Sequence, residues 1–350
     1  MITKPLVALN HVSKSYPVRN ILGLKRGAVH ALDGVEFSIA AGETLGIVGE
    51  SGSGKSTIAR VILGLTSPSS GQMMVDGKDL ASLSNSQLRA MRKSLQIIFQ
   101  NPFGSLHPRM TIGALLGEPL RLHKGLRGGE LDAAVESLLE DVGLSPQSAS
   151  RYAHQFSGGQ RQRIGIARAL ASGAELIVCD EPVSALDVSV QAQIINLLKK
   201  LQEERNVSYL FIAHDLAVVR HICHRVAVMY LGRVVEIGDV DKVFKTPRHP
   251  YTRSLLDAIP HADPINVFTR QLVRGEPPSP MDRPSGCSFR KRCPHAIQIC
   301  AEVAPQLTSS KDGAHQSACH RVDVIPPYPA PAEPPVSNTV LRLMTAFRTA

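Results

Sequence analysis

The sequence predicts an α/β core with a helical insertion and a small cysteine-containing domain at its C-terminal end. Short apolar runs alternate with glycines over residues 1–100 and again over residues 160–240, which is typical of strands alternating with helices. Residues 101–158 between them favour helices and contain several prolines. From Thr246 onward proline becomes frequent and cysteines cluster, which indicates a change of domain.

Composition limits the classes of protein. With 350 residues, 43% of them hydrophobic, the chain is long enough for two cored domains. No apolar run approaches the ~20 residues that a membrane span needs, and the N-terminus lacks a signal-peptide pattern, so we expect a cytosolic protein. A net charge of +9 admits nucleic acid, nucleotide or an anionic membrane, but 39 Lys and Arg against 30 Asp and Glu select none of these partners. An aromatic content of 4% without Trp argues against an RNA-stacking surface.

Individual strands and helices of the α/β core can be predicted from hydrophobic spacing. Val35–Ile39 alternates like a half-buried strand, and the apolar run Thr44–Val48 ends in a glycine-rich loop. A helix is expected to follow from Ser56 to Leu63. Further along, the pattern predicts strands at Leu176–Cys179 and Tyr209–Ala213, an amphipathic helix across Val190–Leu201, and a hairpin over Val226–Ile237.

The insertion and the C-terminal residues differ from this core. Pro102, Pro108 and Pro119 are expected to break the start of the insertion, and Leu131–Val142 has helical spacing. The residues after Pro326 are rich in proline, and we do not expect them to form a core of their own. The predicted domains are therefore a core over 1–244 with a helical subdomain at about 101–158, a C-terminal domain over 245–325, and a tail over 326–350.

A phosphate-binding loop is the clearest chemical motif. Residues 49–57 match the pattern G-x-x-x-x-G-K-[ST] between a predicted strand and a predicted helix. Glycines let the backbone curl around phosphate oxygens, lysine adds a positive charge, and the Ser56 hydroxyl can ligate Mg²⁺. A glycine-rich turn that precedes a lysine by chance is the alternative, and the flanking strand and helix disfavour it. The residues expected to bind the nucleotide here are Gly49, Ser51, Gly52, Gly54, Lys55, Ser56 and Thr57.

Two carboxylates follow a second apolar strand. Leu176–Cys179 leads directly into Asp180 and Glu181, as expected for a buried parallel strand that ends at a reaction centre. Asp180 suits a direct or water-mediated role at Mg²⁺, and Glu181 suits polarising an attacking water. Adjacent carboxylates on a surface turn are the weaker alternative.

A second anion-binding pattern lies a hundred residues after the first. Ser157 is a plausible N-cap, and Gly158 and Gly159 leave backbone N–H groups uncovered where a helix begins near Gln160. Unpaired amides and the helix dipole both favour anions at such a position. The sequence therefore contains two phosphate-binding elements.

These motifs, in this order, resemble those of ATP-binding-cassette (ABC) ATPases. The resemblance implies a P-loop NTPase with a RecA-like core, an antiparallel β subdomain and a helical insertion. It also implies that Ser157, Gly158, Gly159 and Gln160 form the signature motif, which binds the ATP of a facing subunit in trans. Phe156 stands where the wider family usually has leucine, another apolar anchor.

The resemblance assigns further roles to individual residues. Gln100 falls at the Q-loop position, which contacts Mg²⁺ and reports to the membrane partner, and Ser184–Asp187 resembles the D-loop. His214 falls at the switch position, which contacts the γ-phosphate, although a lone histidine at a strand end is more often structural. Tyr16 is the candidate for stacking on adenine. With every catalytic position filled, we expect ATP hydrolysis, with Glu181, His214 and Lys55 as the catalytic residues.

Other segments resemble the ATPases of oligopeptide/dipeptide permeases, of the F-type. These segments are Gln100–Leu106, Pro108–Ile112, Glu181–Ser189, Ala213–Val219, His249–Thr252, Gly275–Pro280 and Gly286–Phe289. His107 departs from the Asn that is common in that group. The resemblance implies a subunit that powers import of di- or oligopeptides, with a nickel complex or glutathione as alternative cargo. A nucleic-acid-acting cassette protein is the rival class, but the coiled-coil insertion or second cassette usual there is not visible.

The same resemblance implies partners and a location. Expected partners are a second, related ABC ATPase subunit in a heterodimer, two integral membrane permease subunits and, indirectly, a solute-binding protein. No nucleic acid is expected to bind. The chain is then expected at the cytoplasmic face of the inner membrane, as a peripheral protein.

Cysteines form a possible cofactor site in the C-terminal domain. Cys287, Cys293, Cys300 and Cys319 have the spacing C-x5-C-x6-C-x18-C, which is not the C-x2-C pair of common zinc sites. Four thiolates in a poorly cored region suit a structural metal, and the resemblance implies a [4Fe–4S] cluster. Zinc is an alternative because of neighbouring histidines, and four ordinary reduced thiols are another. The histidines are His295, His315 and His320, whereas Cys179 and Cys223 are expected to be small core residues.

Overall fold

Two β-sheets and a group of helices make up the part of the protein that the structure describes. The structure is a computed structural model that describes residues 4–19, 25–258, 275–276, 278–279, 281, 283–310 and 313–329. In chain order the strands are β1 (Val7–Arg19), β2 (Lys25–Ile39), β3 (Thr44–Val48), β4 (Ser70–Val75), β5 (Lys78–Asp79), β6 (Leu95–Ile98), β7 (Leu176–Asp180), β8 (Ser208–Ile212), β9 (Arg225–Tyr230), β10 (Arg233–Asp239), β11 (Thr308–Ser309) and β12 (His315–Ser317). The helices are α1 (Lys55–Ile62), α2 (Asn85–Met91), α3 (Pro102–Ser105), α4 (Ile112–Lys124), α5 (Gly128–Asp141), α6 (Gly158–Ala171), α7 (Val188–Arg205), α8 (Leu216–Ile222), α9 (Val240–Lys245), α10 (Pro250–Asp257) and α11 (Ile299–Glu302).

The larger sheet has the strand order β11-β12-β10-β9-β3-β8-β7-β6. Strands β9, β3, β8, β7 and β6 run parallel, and all side chains of β3 and β8 are buried. Successive residues of β8 pack alternately on the two faces: Tyr209 and Phe211 on one, Leu210 and Ile212 on the other. Burial on both faces explains the continuous apolar runs in the sequence. The carboxyl ends of β3, β6, β7 and β8 share one edge of the sheet, so the segments that follow them converge there.

The smaller sheet has the order β2-β1-β4-β5 and is antiparallel. Its strands bury Val7, Leu9 and Val35 against the same core as β3. Tyr16 on β1 pairs with Val29 on β2, near the end of this long hairpin. The antiparallel β subdomain implied by the sequence is therefore present, and it presents Tyr16 toward the phosphate loop.

Most elements predicted from spacing are confirmed with small shifts at their ends. The predicted helix Ser56–Leu63 is α1, and the predicted hairpin over Val226–Ile237 is formed by β9 and β10. The prediction that Pro119 breaks the chain is wrong, because Pro119 lies inside α4. A proline there removes one helical hydrogen bond, at a cost of about 3 kcal/mol. Packing offsets it, since Leu115, Leu116 and Leu120 of the same helix are buried in the core.

The C-terminal residues continue the larger sheet. Strand β12 pairs antiparallel with β10, placing His315 opposite Gly238, and β11 pairs with β12. Tyr251 and Phe289 belong to the main hydrophobic core. The domain boundaries near 244 and 325 stay predictions, and residues 330–350 of the tail lie outside the described residues, as do Pro277 and Pro280. Within the described ranges, no helix combines the length and the apolar character needed to cross a membrane.

Candidate active site

The phosphate loop runs from the end of β3 into α1 and needs glycine at two tightly packed positions. Gly49 and Gly54 have φ values of 152° and 107°, in the region that favours glycine. A Cβ on Gly54 would lie 2.5 Å from the carbonyl oxygen of Ala31, and one on Gly49 would collide with the carbonyl oxygen of Met229. By contrast, a Cβ on Gly52 would meet nothing within 4 Å. The backbone of Ala31 and Met229 therefore packs closely against the loop at Gly54 and Gly49, whereas the space next to Gly52 is open.

Lys55 reaches back over this loop. Its Nζ donates hydrogen bonds to the carbonyl oxygens of Gly49, at 2.7 Å, and Glu50, at 3.0 Å. Burial lowers the pKa of Lys55, and the nearby carboxylates of Glu181 and Asp180 act in the opposite direction. The side chain is only 8% exposed, so a positive charge is held close to the loop with little water around it.

A cavity of about 1060 Å³ opens in front of the loop. Its lining includes Tyr16 and Val29 of the small sheet, together with Glu181 and His214. The Ser53 hydroxyl, in the loop, is buried and has no hydrogen-bond partner within the described residues, but Ser53 does not line the cavity. The volume of the cavity suits a nucleotide.

Three residues that the sequence predicted separately meet at one carboxylate. Gln100 Nε2 donates to Glu181 Oε2 at 2.8 Å, and His214 Nδ1 lies 3.5 Å from the same oxygen. Gln100 follows β6, Glu181 follows β7 and His214 follows β8, so adjacent parallel strands bring them together. Burial raises the pKa of Asp180, and the neighbouring Glu181 charge raises it further.

Glu181 has an unusual backbone conformation. Its φ is 49°, which is uncommon for a residue other than glycine and costs of order 1–3 kcal/mol. Hydrogen bonds hold it: Glu181 N donates to Ile212 O at 3.0 Å, and Glu181 O accepts from the Ser184 hydroxyl at 3.1 Å. Residues in such conformations cluster at active sites. This turn directs the Glu181 side chain into the cavity beside Lys55.

The signature motif has the predicted N-cap but does not line this cavity. Ser157 Oγ accepts from Gln160 N at 3.3 Å, and Gln160 Oε1 accepts from Ser157 N at 3.0 Å, which makes a capping box. The helix begins at Gly158, two residues earlier than expected. A Cβ on Gly159 would lie 2.5 Å from Val190 Cγ1, so glycine lets α6 approach α7. None of the four signature residues lines the cavity in front of the phosphate loop.

The four cysteines line one small cavity, of about 10 Å³. Burial raises the pKa of Cys287 and Cys319 and raises that of Cys293 to about 11, so these thiols are protonated at neutral pH. The described part of the chain contains no group of three or more His, Cys, Asp and Glu side chains placed to hold a metal ion. The geometry around the four cysteines therefore gives no support for the expected [4Fe–4S] cluster.

Histidines and the remaining cysteines are distributed unevenly around this cavity. His295 and His320 line it. His315 does not, because its Nε2 lies 2.6 Å from the buried Glu236 carboxylate. Cys179 and Cys223 are buried in the main core, as expected, and burial raises the pKa of both.

One set of contacts at the site has no signal in the sequence. Glu50, the second residue of the phosphate loop, is bound by Arg292 and Tyr251 from the C-terminal region. These residues are more than 200 positions from Glu50, and no local pattern links them. Only the fold brings them to the loop.

Comparison with family models gives two matches along the chain. The model described as ABC transporter matches residues 32–184, and the model described as the C-terminal region of oligopeptide/dipeptide transporters matches residues 235–300. The first match contains the phosphate loop, the signature motif and the Asp180–Glu181 pair. The second contains part of the cysteine cavity as well as Tyr251 and Arg292, which contact Glu50.

Named relatives and solved structures agree with these matches. A Brucella ovis protein, provisionally named a peptide import ATP-binding protein, is 51% identical over 93% of this chain and all of its own length. The oligopeptide transport ATP-binding protein AppF of Bacillus subtilis is 49% identical, over 90% of this chain and 97% of its own. A dimeric ATP-binding cassette in a post-hydrolysis state, bound to ADP and Pi, superposes with a TM-score of 0.60 at 32% identity, covering 67% of this chain and 98% of that chain. The chain is therefore a member of the ABC transporter ATP-binding family, in its oligopeptide/dipeptide group, and it is an ATPase whose hydrolysis is coupled to transport.

Proposed function

We propose that this chain is the ATP-hydrolysing subunit that powers import of di- and oligopeptides through a membrane permease. The observation that carries the proposal is the match of residues 235–300 to the C-terminal region of oligopeptide/dipeptide transporters. Relatives that align along 90% or more of the chain are named for peptide or oligopeptide transport. Cassette cores serve many functions, so this group-specific region is more informative than the fold.

ATP is proposed to bind in the cavity with its phosphates on the loop. Backbone amides around Gly52 and the Lys55 ammonium would bind the phosphate oxygens. Tyr16 would stack on adenine at the far wall of the cavity. The remaining assigned contacts are Gly49, Ser51, Gly54 and Thr57 to phosphate, and Ser56, Gln100 and Asp180 around Mg²⁺, which would neutralise the developing phosphate charge.

Glu181 is the proposed general base. The contacts of Gln100 and His214 with its Oε2 atom would hold the carboxylate toward the cavity, where it can accept a proton from the attacking water. His214 is exposed along 64% of its side chain and can turn toward a γ-phosphate. A base fixed by two neighbours loses little freedom at the moment of reaction.

The partner proposal is a heterodimer with a related ATPase subunit. Ser157 and Gln160 are exposed and lie outside their own cavity, and the solved dimeric cassette is a structural relative. In such a dimer this signature would bind the ATP of the facing subunit. Two membrane permease subunits, and indirectly a solute-binding protein, would complete the importer at the cytoplasmic face of the inner membrane, with no nucleic acid involved. Full-rate hydrolysis by the isolated monomer would contradict the trans role.

For the cysteine cavity we keep a [4Fe–4S] cluster as the proposed occupant, with zinc as the alternative. Four thiols around one cavity match the ligand count of such a cluster, although the side chains are not placed to hold a metal ion. Iron, acid-labile sulfide and zinc should be measured in protein purified without oxygen. Protein that contains none of the three would show that the four cysteines are ordinary reduced thiols without a metal.

The cargo is tested by uptake in the source cells. We expect that deleting the gene abolishes uptake of labelled di- or oligopeptides and that the wild-type gene restores it, whereas the Lys55→Ala variant does not. Unchanged peptide uptake, with loss of nickel or glutathione uptake, would assign the subunit to one of those cargoes. Stimulation of the purified ATPase by nucleic acid would favour the rival class.

A further inference from the structure

The C-terminal region makes a bidentate ion pair with the phosphate loop. Arg292 Nη1 and Nη2 donate to the two carboxylate oxygens of Glu50, at 2.8 and 2.9 Å. The Arg292 side chain is 8% exposed and that of Glu50 is 30% exposed. A bidentate arginine–carboxylate pair fixes both distance and orientation, and partial burial reduces its screening by water and salt.

Tyr251 fixes the backbone of the same residue. Its hydroxyl oxygen accepts a hydrogen bond from Glu50 N at 2.9 Å, and the side chain is fully buried. Glu50 is therefore held through its side chain by one C-terminal residue and through its amide by another. Since Lys55 Nζ donates to Glu50 O, the same residue is in direct contact with the lysine of the site.

An aromatic cluster makes this contact rigid. Tyr230, Tyr251 and Phe289 pack with ring centroids 4.7 to 5.4 Å apart. The Arg292 guanidinium lies 5.8 Å from the Tyr230 ring and 5.9 Å from the Phe289 ring. Such stacking orders a long side chain before it meets its carboxylate partner, which lowers the entropy lost in the contact.

We propose that Arg292 and Tyr251 are positioning residues for ATP binding, which hold Glu50 so that the phosphate loop keeps its nucleotide-binding shape. The cysteine-bearing segment around Arg292 is then a brace on the loop. This inference rests on the proposed ATP site. Arg292 and Tyr251 are absent from the lining of the cavity, so the brace acts through Glu50.

A brace predicts a defined kinetic effect. In the assembled ATPase–permease complex, Arg292→Met and Glu50→Gln should each raise the KM for ATP by about ten-fold and change kcat by less than about three-fold. The KM of the double variant should be no higher than that of the single variant with the higher KM, because both substitutions remove the same contact. Arg292→Lys keeps the positive charge but cannot make the bidentate contact, so its KM for ATP should lie between those of the wild type and Arg292→Met. Tyr251→Phe, which removes only the hydroxyl, should raise KM by a few-fold.

The matched control is a second ion pair at the other end of β3. Arg225 Nη1 lies 2.9 Å from Glu43 Oε1, and Arg225→Met should leave the KM for ATP unchanged. An unchanged KM in Arg292→Met, or an additive double variant, would overturn the brace. A Lys55→Ala variant that still hydrolyses ATP at the wild-type rate would instead show that the proposed ATP site is wrong.

Discussion

Replacing His249 should remove about 2 kcal/mol of the stability that this protein loses between pH 7.5 and pH 5. His249 is the N-cap of α10, its side chain is buried, and its Nδ1 accepts a hydrogen bond from Tyr251 N at 3.0 Å. Burial lowers the pKa of His249 to about 4, and nearby Glu236 and a backbone hydrogen bond offset only part of that effect. The native protein therefore holds this imidazole neutral.

The size of the effect follows from proton linkage. Because the folded pKa lies below the ordinary value of 6.5, the unfolded chain takes up the proton first as the pH falls. The contribution to stability is complete above about pH 6.5 and is lost progressively toward pH 4. Between pH 7.5 and pH 5, the loss of this contribution lowers the free energy of unfolding by about 2 kcal/mol.

Urea unfolding of the full-length protein at the two pH values measures this difference. The His249→Asn variant keeps a side-chain acceptor for the helix N-terminus but cannot titrate. We expect its free energy of unfolding to fall by about 2 kcal/mol less than that of the wild type over the same interval. His107→Asn, on the exposed surface, is the control and should behave like the wild type, because Asn also offers an acceptor to the Arg109 amide. Equal decreases in wild type and His249→Asn would refute the argument.

Three further predictions concern the nucleotide site and the signature motif. Glu181→Gln should still bind ATP and should slow hydrolysis by about 10²–10⁴-fold, as measured by phosphate release; unchanged turnover would remove the general-base assignment. Lys55→Ala should abolish measurable turnover, because the loop loses its positive charge, and normal turnover would contradict that role. Gly159→Ala should lower the free energy of unfolding by about 1–3 kcal/mol in thermal or urea denaturation, through overlap with Val190. Adding Val190→Ala should recover part of that loss, and no recovery would show that the overlap is not the cause.

Motifs at the carboxyl edge of the sheet could be located from sequence because each follows its own strand. An apolar run, then a turn, then a polar residue is a local pattern, and parallel strands bring such turns together. That reasoning predicts Asp180 and Glu181 at the nucleotide site, whereas Gln100 and His214 were assigned to it by the family resemblance. The positive φ of Glu181 could not be predicted, since it depends on hydrogen bonds to Ile212 and Ser184 rather than on its own type.

Long-range contacts were beyond local patterns. Pro119 was expected to interrupt the chain because proline disfavours helix interiors, but burial of neighbouring leucines outweighs that preference. The pairing of Glu50 with Arg292 depends on the return of the C-terminal region to the core, across 242 positions. Propensity and spacing contain no information about that return.

Strand β12 also protects the core sheet from other chains. Without the C-terminal region, β10 would present the unpaired N–H and C=O groups of Arg233–Asp239 along an open edge. Glu236 on that strand would lose the amides of Arg248 and His249 and the imidazole of His315, which are the hydrogen-bond partners of its carboxylate. A cassette shortened at residue 244 would thus gain a surface that templates aggregation. Among the described residues, the edge strand at this end of the sheet is β11, whose two residues are too few to serve as such a template.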